Sequence, residues 1–254
     1  MDSGSLSPKA KKNINSRFVI NALLLLTLAF FVFLMARITL AYIPYNTDVG
    51  FLRIKQDYVD IDLWRNAFFV HVYMSIWALL AGFTQFSTKL RSKNPKLHRG
   101  LGYIYAADVL FITGPAGLLM GFYANGGIPS KIAFVTLAVG WITFTAIAVV
   151  KAKQGDYNAH RDFMIRSYAL TLSALTLRAW KWSINNSVEI PPMDVYRAVA
   201  WLGWVPNILL AEFIIWRYKY QANQRRLVAR EMRQAASGGR PDDPAVPGLA
   251  SGKA

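Results

Sequence analysis

Six long runs of apolar residues, separated by short polar segments, dominate this sequence. Each run is close to the roughly 20 residues that a helix needs to cross the hydrocarbon core of a bilayer. The pattern therefore predicts six membrane-spanning helices, at residues 18–40, 64–86, 100–124, 130–150, 161–185 and 197–219. We expect an all-α, polytopic bundle over residues 18–220, between a basic N-terminus, residues 1–17, and a C-terminal tail, residues 221–254.

The charge of the chain gives this bundle an orientation. The formal net charge is +15, and most of the 29 Lys and Arg residues fall in the two termini and in the loops that share a side with them. Because positively charged loops stay in the cytoplasm and an even number of spans puts both ends on one side, we expect cytoplasmic N and C termini. We expect a multi-pass protein of the inner (cytoplasmic) membrane.

The same distribution decides between two kinds of partner. A strongly basic protein can bind nucleic acid, but here the cations follow the membrane topology, so we expect no nucleic acid partner. Anionic lipid head groups at the inner face are the expected partner of the basic loops and of residues 217–233. From about Ala235 onward the tail is small and polar, and we expect it to be disordered.

The absence of cysteine narrows the chemistry. No disulfide, thiolate ligand, iron–sulfur cluster or cysteine nucleophile can form in this chain. A metal ion would have to use histidine, carboxylate or methionine side chains, and the sequence contains only three histidines, His71, His98 and His160. No phosphate-binding glycine loop or zinc-protease motif occurs either.

Two of the histidines are followed by arginine and stand where a helix climbs from the cytoplasmic side. His98-Arg99 and His160-Arg161 should therefore lie at about the same depth. Two imidazoles at one depth on different helices can bind a haem iron from both axial sides, which makes His98 and His160 the candidate ligands of haem b. The alternative is that each His-Arg pair anchors its helix by contacting lipid phosphate.

The remaining ionisable residues of interest fall inside the spans. His71 should lie roughly 10 Å below the outer boundary, and Asp108 roughly 15 Å above the level of His98, so the two could share a hydrogen bond. Buried ionisable groups in a bundle suggest a proton, quinone or other ligand site, although a structural polar pair would explain them too. Arg178 and Lys181 suggest an outer cationic rim, with snorkelling to the surface as the alternative.

Two stretches that contain these residues, HRGLGYIYAADVLFITGPAGLLMGFYANGG and HRDFMIRSYALTLSALTLRAW, resemble a bacterial multi-pass membrane family catalogued as domain of unknown function 2306. The resemblance covers roughly residues 64–220 and is most specific in the fifth span, where Phe163 stands in place of an expected Trp. It implies the topology and no particular reaction. The chain is also distantly similar to haem bundles of the cytochrome b561 kind, which usually hold two haems on four histidines.

Three functional hypotheses follow from these residues. The first is a haem b redox or haem-handling protein with His98 and His160 as iron ligands. The second is a proton-coupled small-molecule transporter that uses Asp108 and His71. The third is a non-catalytic factor that assists assembly of a membrane protein partner, for which a basic inner face and an outer loop suffice.

Overall fold

The computed structural model describes the main chain of residues 8–236, and every regular element in that range is helical. The prediction of an all-α protein is confirmed. The predicted disorder of the tail falls largely on residues 237–254, which lie outside the described residues, as do residues 1–7 of the predicted basic N-terminus.

Eleven α-helices follow one another along the described part of the chain. They are α1 (Pro8–Leu40), α2 (Gln56–Val59), α3 (Asp62–Thr84), α4 (Thr88–Lys93), α5 (Pro95–Ala107), α6 (Gly114–Phe122), α7 (Ile128–Lys153), α8 (Tyr157–Thr171), α9 (Ser173–Ser187), α10 (Pro192–Leu202) and α11 (Val205–Ala236). A 3₁₀ turn, Gly50–Ile54, precedes α2, and a π-helical turn, Asp108–Thr113, joins α5 to α6.

Four helical stretches in the described residues are long and apolar enough to cross a membrane: Asp62–Thr84, Pro95–Phe122, Ile128–Lys153 and Pro192–Ala235. They correspond to four of the six predicted spans. The fifth predicted span is divided at Leu172 into two helices of 15 residues each, which is shorter than one crossing. The first falls on α1, whose shorter apolar part is Ala29–Leu40.

The chain divides into two compact units, residues 1–211 and 212–254. Within the first unit, the main apolar core is formed by side chains from α1, α3, α5, the π-helical turn, α7, α8 and α9, with Leu79, Val109 and Leu170 among its buried members. Within the second unit, residues 212–236 continue helix α11, and its arginines are exposed to solvent. The site described below lies in the first unit.

A second apolar core lies under the segment that connects α1 to α3. Residues 50–59 of this segment form a cap, whose buried Leu52 and Val59 pack with Trp64, Phe68 and Phe69 at the start of α3. The rings of Trp64 and Phe68 are stacked, with their centroids 5.7 Å apart. The predicted outer loop is therefore an ordered cap that packs on the end of α3.

Candidate functional site

Asp108 lies inside the bundle where the hydrogen-bond pattern of the third predicted span changes. It begins the π-helical turn after α5, and its side chain is buried, with 5% exposure. The main chain of Ala78 and the hydroxyl of Thr113 approach its carboxylate, but the Thr113 hydroxyl donates to the main-chain oxygen of Asp108, at 3.1 Å. Across residues 8–236, both carboxylate oxygens are buried without a hydrogen-bond partner. Such a group is costly to keep ionised.

The turn that begins at Asp108 is also a point where the span can bend. Gly114 follows the turn, and a Cβ atom there would lie 2.2 Å from the main-chain oxygen of Val109 and 2.7 Å from Cγ1 of Ile142. Only glycine fits this close approach. Pro115 comes next and has no amide hydrogen to donate. A π turn, a glycine and a proline in succession are features at which helices kink, and we call residues 108–115 the hinge.

His71 meets this hinge from α3. Its Nδ1 lies 2.9 Å from the main-chain oxygen of Thr113, and because a carbonyl oxygen only accepts, Nδ1 must carry the hydrogen. In the neutral ring, Nε2 then presents a free lone pair. Gly117 makes room for the imidazole, since a Cβ there would lie 2.9 Å from Cε1 of His71.

The structure does not join His71 and Asp108 by the hydrogen bond that their similar depth suggested. His71 donates to Thr113 instead, and the Asp108 carboxylate has no partner within the described residues. Thr113 lies between the His71 imidazole and the main chain of Asp108, because its main-chain oxygen accepts from His71 and its hydroxyl donates to the main-chain oxygen of Asp108.

Arg178, one of the residues of the predicted outer cationic rim, lies on α9. Its Nη1 donates to the main-chain oxygen of Ala174, one turn earlier in α9, at 2.6 Å. Arg178 and Lys181 are both exposed.

His98 and His160 occupy equivalent positions in two capped helices. The side chain of Asn94 caps α5 by accepting from the amide of Leu97, and that of Asp156 caps α8 by accepting from the amide of Ala159, each at 3.1 Å. Each histidine stands four residues after its cap. The prediction that both histidines lie at the start of a helix is confirmed.

Both imidazoles are half-buried. Nδ1 of His160 lies 2.8 Å from the main-chain oxygen of Ala148, so it donates its hydrogen there and leaves Nε2 free. Nδ1 of His98 is buried without a hydrogen-bond partner in the described part of the chain. The arginines that follow differ, since Arg161 donates to Asp162 at 2.8 Å while Arg99 is exposed.

Among the described residues, no cluster of three or more His, Asp or Glu side chains could hold a metal ion that needs three or more protein ligands. Two imidazoles suffice only for a metal that brings its own equatorial ligands, as haem iron does.

A buried polar network in the middle of the bundle was missed by sequence reasoning. The Tyr105 hydroxyl lies 2.6 Å from that of Ser167 and 2.9 Å from that of Thr171. Thr145 lies 2.6 Å from Ser167, and the indole nitrogen of Trp141 donates to Thr171 at 3.0 Å. These contacts join α5, α7 and α8. The pair Ser167 and Thr171, spaced i and i+4 in an apolar span, was the available signal.

One comparison with known proteins gives a match. A family model described as predicted membrane protein (DUF2306) matches residues 68–215, which is more than half of the chain. No curated protein and no solved structure matches the chain. The matched range includes His71, Asp108, His98, His160 and Arg178.

Proposed function

We propose that this chain, which belongs to the DUF2306 family of predicted membrane proteins, takes up and releases a proton at Asp108 and couples that proton to the passage of a small solute. The observation that carries this proposal is the Asp108 carboxylate, buried without a hydrogen-bond partner among residues 8–236. Ionisable groups inside a membrane bundle are costly, and functional sites are where they are found.

The two protonation states of Asp108 suit different environments. The neutral acid can remain in the closed bundle, whereas the carboxylate needs water or a donor, because an unpaired buried charge costs several kcal/mol. Uptake of a proton at the carboxylate therefore favours the closed arrangement, and release favours one in which water reaches the side chain. The hinge at residues 108–115 supplies the element that can change between them.

We place Asp108 near the middle of a six-span topology with both termini in the cytoplasm of a bacterium. Most basic residues fall on the side of the termini, and α8 with α9 together have the length of a crossing despite the break at Leu172. In this topology Asp108 is separated from both surfaces, so a proton reaches it only through the bundle.

Infrared difference spectroscopy tests proton binding directly. The reconstituted protein is changed from acidic to alkaline pH, and the C=O stretching band of a protonated carboxylic acid is followed. We expect a titrating band that Asp108→Asn lacks. Asp60→Asn is the matched control, because Asp60 is exposed directly after the cap and the chemical change is the same. A carboxylate that is ionised at every pH would refute the proposal.

Flux measurements test coupling. Proteoliposomes containing a trapped pH-sensitive dye report proton entry after a pH gradient is applied, in the presence of candidate solutes. We expect solute-dependent proton entry in the wild type and in Asp60→Asn, and none in Asp108→Asn. Equal entry in wild type and Asp108→Asn would show that the proton does not pass through this residue.

A second candidate function is a haem b redox or haem-handling protein. It is favoured by the two imidazoles at equivalent helix positions, one with a free Nε2 and the other with an orphaned Nδ1. His98 and His160 would hold the haem iron, with the carbonyl of Ala148 orienting His160. A bound haem would supply one-electron transfer.

Spectra separate the second candidate from the first. The protein is purified with haem supplied during expression, and oxidised and dithionite-reduced spectra are recorded for the wild type, His98→Ala and His160→Ala. A b-type spectrum that both variants lose would establish the site. A wild type without a Soret band and without bound iron would eliminate it, and would leave the proton proposal unaffected.

A further inference from the structure

A lysine and an asparagine join the cap to the connection between α6 and α7, residues 123–127. Lys55 of the cap is buried, with 2% exposure. Its Nζ donates to Oδ1 of Asn125 at 2.6 Å and to the main-chain oxygen of Tyr123. The side-chain amide of Asn125 donates back to the main-chain oxygen of Ile54, at 3.1 Å. These three hydrogen bonds hold the cap against the connection from both sides of the contact.

Aromatic rings complete the site that receives the ammonium group of Lys55. Nζ lies 4.9 Å from the centre of the Tyr58 ring and 5.8 Å from that of Phe51. The Tyr58 ring also meets that of Tyr123, with centroids 5.3 Å apart. No acidic side chain of the described residues forms an ion pair with Lys55. Oxygen dipoles and ring faces therefore compensate this buried charge, and they do so less fully than a carboxylate would.

The α6–α7 connection has supports of its own. Gly126 and Gly127 have φ angles of 83° and 77°, which favour glycine. Arg197 of α10 donates from Nε to the main-chain oxygen of Gly126, at 2.9 Å. A Cβ at Gly126 would lie 2.5 Å from the hydroxyl oxygen of Ser130 in α7. The connection is therefore packed against α7 and bonded to α10 by contacts that do not involve the cap.

We propose that Lys55 is a releasable latch, which holds the cap closed on the α6–α7 connection and frees it when the contact with Asn125 is broken. A buried ammonium ion without a carboxylate partner is stabilised less than the same ion in water. A proton on Lys55 therefore opposes closure, whereas the neutral amine keeps its hydrogen bonds without that cost. In the proposed topology the cap lies on the outer side, so the latch closes the outer end of the bundle.

The titratable groups around Lys55 act in the same direction. Burial, with repulsion from Lys131 of α7, lowers the pKa of Lys55 from 10.5 to about 8, and Asp57 of the cap opposes them. The other titratable residues in contact with the ammonium group are Tyr58, through its ring, and Tyr123, through its main-chain oxygen. Closing the cap therefore releases protons between these two pH values, and closure becomes more favourable as the pH rises through that interval.

The latch also meets the helix that follows the hinge. Helix α6 begins at Gly114, within the hinge, and ends at Phe122, directly before Tyr123. The cap is thus bonded to the residue that follows this helix. A movement of α6 about the hinge would pull on the contact with Lys55. This consequence rests on the proposed function, whereas the latch itself does not.

Cysteine labelling measures opening of the cap, because the chain contains no cysteine of its own. Leu52→Cys places a thiol at a position with 0% exposure, and Ile54→Cys places one two residues away at a position that is 54% exposed. The full-length protein in detergent is treated with iodoacetamide, and the rate at the buried thiol is divided by the rate at the exposed one. This ratio reports opening and corrects for thiol ionisation. Val59→Cys, at 7% exposure, is a second buried reporter.

The first variant removes the partner of Lys55. We expect Asn125→Ala to raise the labelling ratio about tenfold, because it removes two of the three hydrogen bonds across the contact. Asn46→Ala is the matched control, since Asn46 is exposed and its side chain accepts from the amide of Asp48. It should label as the wild type does. A ratio that is the same in Asn125→Ala and wild type, with both buried reporters, would overturn the inference.

The pH profile separates a latch from a purely structural contact. In the wild type the ratio should fall about fivefold between about pH 8 and pH 10.5. Lys55→Met should lack this fall, and Asn125→Asp should move it to higher pH, because a carboxylate holds the proton on Lys55. Asn46→Asp should keep the wild-type profile. A profile shared by wild type and Lys55→Met would overturn the inference.

Asp108→Asn distinguishes this inference from the proposed function. In that background Asn125→Ala should still raise the labelling ratio, because the latch does not use the Asp108 carboxylate. An open cap in Asn125→Ala, with no titration of Asp108 in the infrared spectra, would leave the latch standing and remove proton coupling. Titration of Asp108 in a protein whose cap is labelled equally in wild type and Asn125→Ala would do the reverse.

Discussion

The hydroxyl oxygens of Tyr105 and Ser167 lie 2.6 Å apart in the interior of the bundle, and neither side chain is accessible to solvent. They belong to helices α5 and α8, which are far apart in sequence. The hydrogen bond between them, with those that Thr145, Thr171 and Trp141 add, satisfies a group of polar atoms that would otherwise be buried unpaired.

Removal of the Tyr105 hydroxyl should destabilise the bundle only modestly. In Tyr105→Phe, Ser167 keeps its contact with Thr145, and Thr171 keeps its contact with Trp141. We expect a loss of about 1 kcal/mol in the free energy of unfolding, the usual size for a hydrogen bond between membrane helices. Tyr103→Phe is the control, because Tyr103 is on the same helix and 64% exposed; its stability should be unchanged. Equal stability of both variants would contradict a cross-linking role for the network.

Helix positions were largely predictable because hydrophobic length and helix caps are local properties. Asn94 and Asp156 each stand four residues before a histidine, and such caps fix where a helix begins regardless of its neighbours. This is why His98 and His160 could be placed at helix starts from the sequence. The break at Leu172 carries no comparable local signal, and Gly114 with Pro115 marks a bend without giving the π-helical hydrogen-bond pattern before it.

Contacts between helices were less predictable, because depth in the membrane fixes only one coordinate of a side chain. His71 and Asp108 are predicted at compatible depths, yet His71 is directed to Thr113. Arg178 is predicted at the same depth as His71, yet its Nη1 is directed to Ala174 of its own helix. The rotation of each helix about its own axis decides which side chains at the same depth come into contact. That rotation follows from the packing of the whole bundle.

Lys55 should make the outer cap sensitive to pH. Its Nζ donates to Asn125 at 2.6 Å and to the main-chain oxygen of Tyr123, and lies 4.9 Å from the centre of the Tyr58 ring. Burial, with repulsion from Lys131, lowers the pKa of Lys55 from 10.5 to about 8, against the opposing effect of Asp57. The unfolded chain therefore holds more protons between these values, and stability rises with pH in that interval.

We expect the free energy of unfolding in detergent to rise by something on the order of 1 kcal/mol between about pH 8 and pH 10.5 through Lys55. Lys55→Met should lack this part of the rise. Lys131→Gln should move its midpoint to higher pH, because the repulsion from Lys131 is gone. A pH profile that is the same in wild type and Lys55→Met would contradict the assignment.

A stripe of arginines on α11 should retain anionic lipid. Arg226, Arg230 and Arg233 follow one another at i, i+4 and i+7 and line one surface of the helix with Ala229. Replacement of the three by Gln should reduce retention of phosphatidylglycerol, measured by native mass spectrometry, by about fivefold for each arginine. Arg225→Gln, on another side of the helix, is the control. Equal retention in all variants would mean that the stripe does not bind lipid.

Gly114→Ala should damage the hinge, whereas Gly100→Ala should not. A Cβ at Gly114 would lie 2.2 Å from the main-chain oxygen of Val109, and main-chain atoms cannot move aside cheaply, while a Cβ at Gly100 meets nothing within 4 Å. We expect Gly114→Ala to lose about 3 kcal/mol or to fail to fold, and Gly100→Ala to gain up to about 1 kcal/mol from its higher helix propensity. Unfolding in detergent measures both. Equal stability of the two variants would mean that the main chain at residues 109–114 can shift to admit a Cβ atom. It would contradict the conclusion that only glycine fits at position 114.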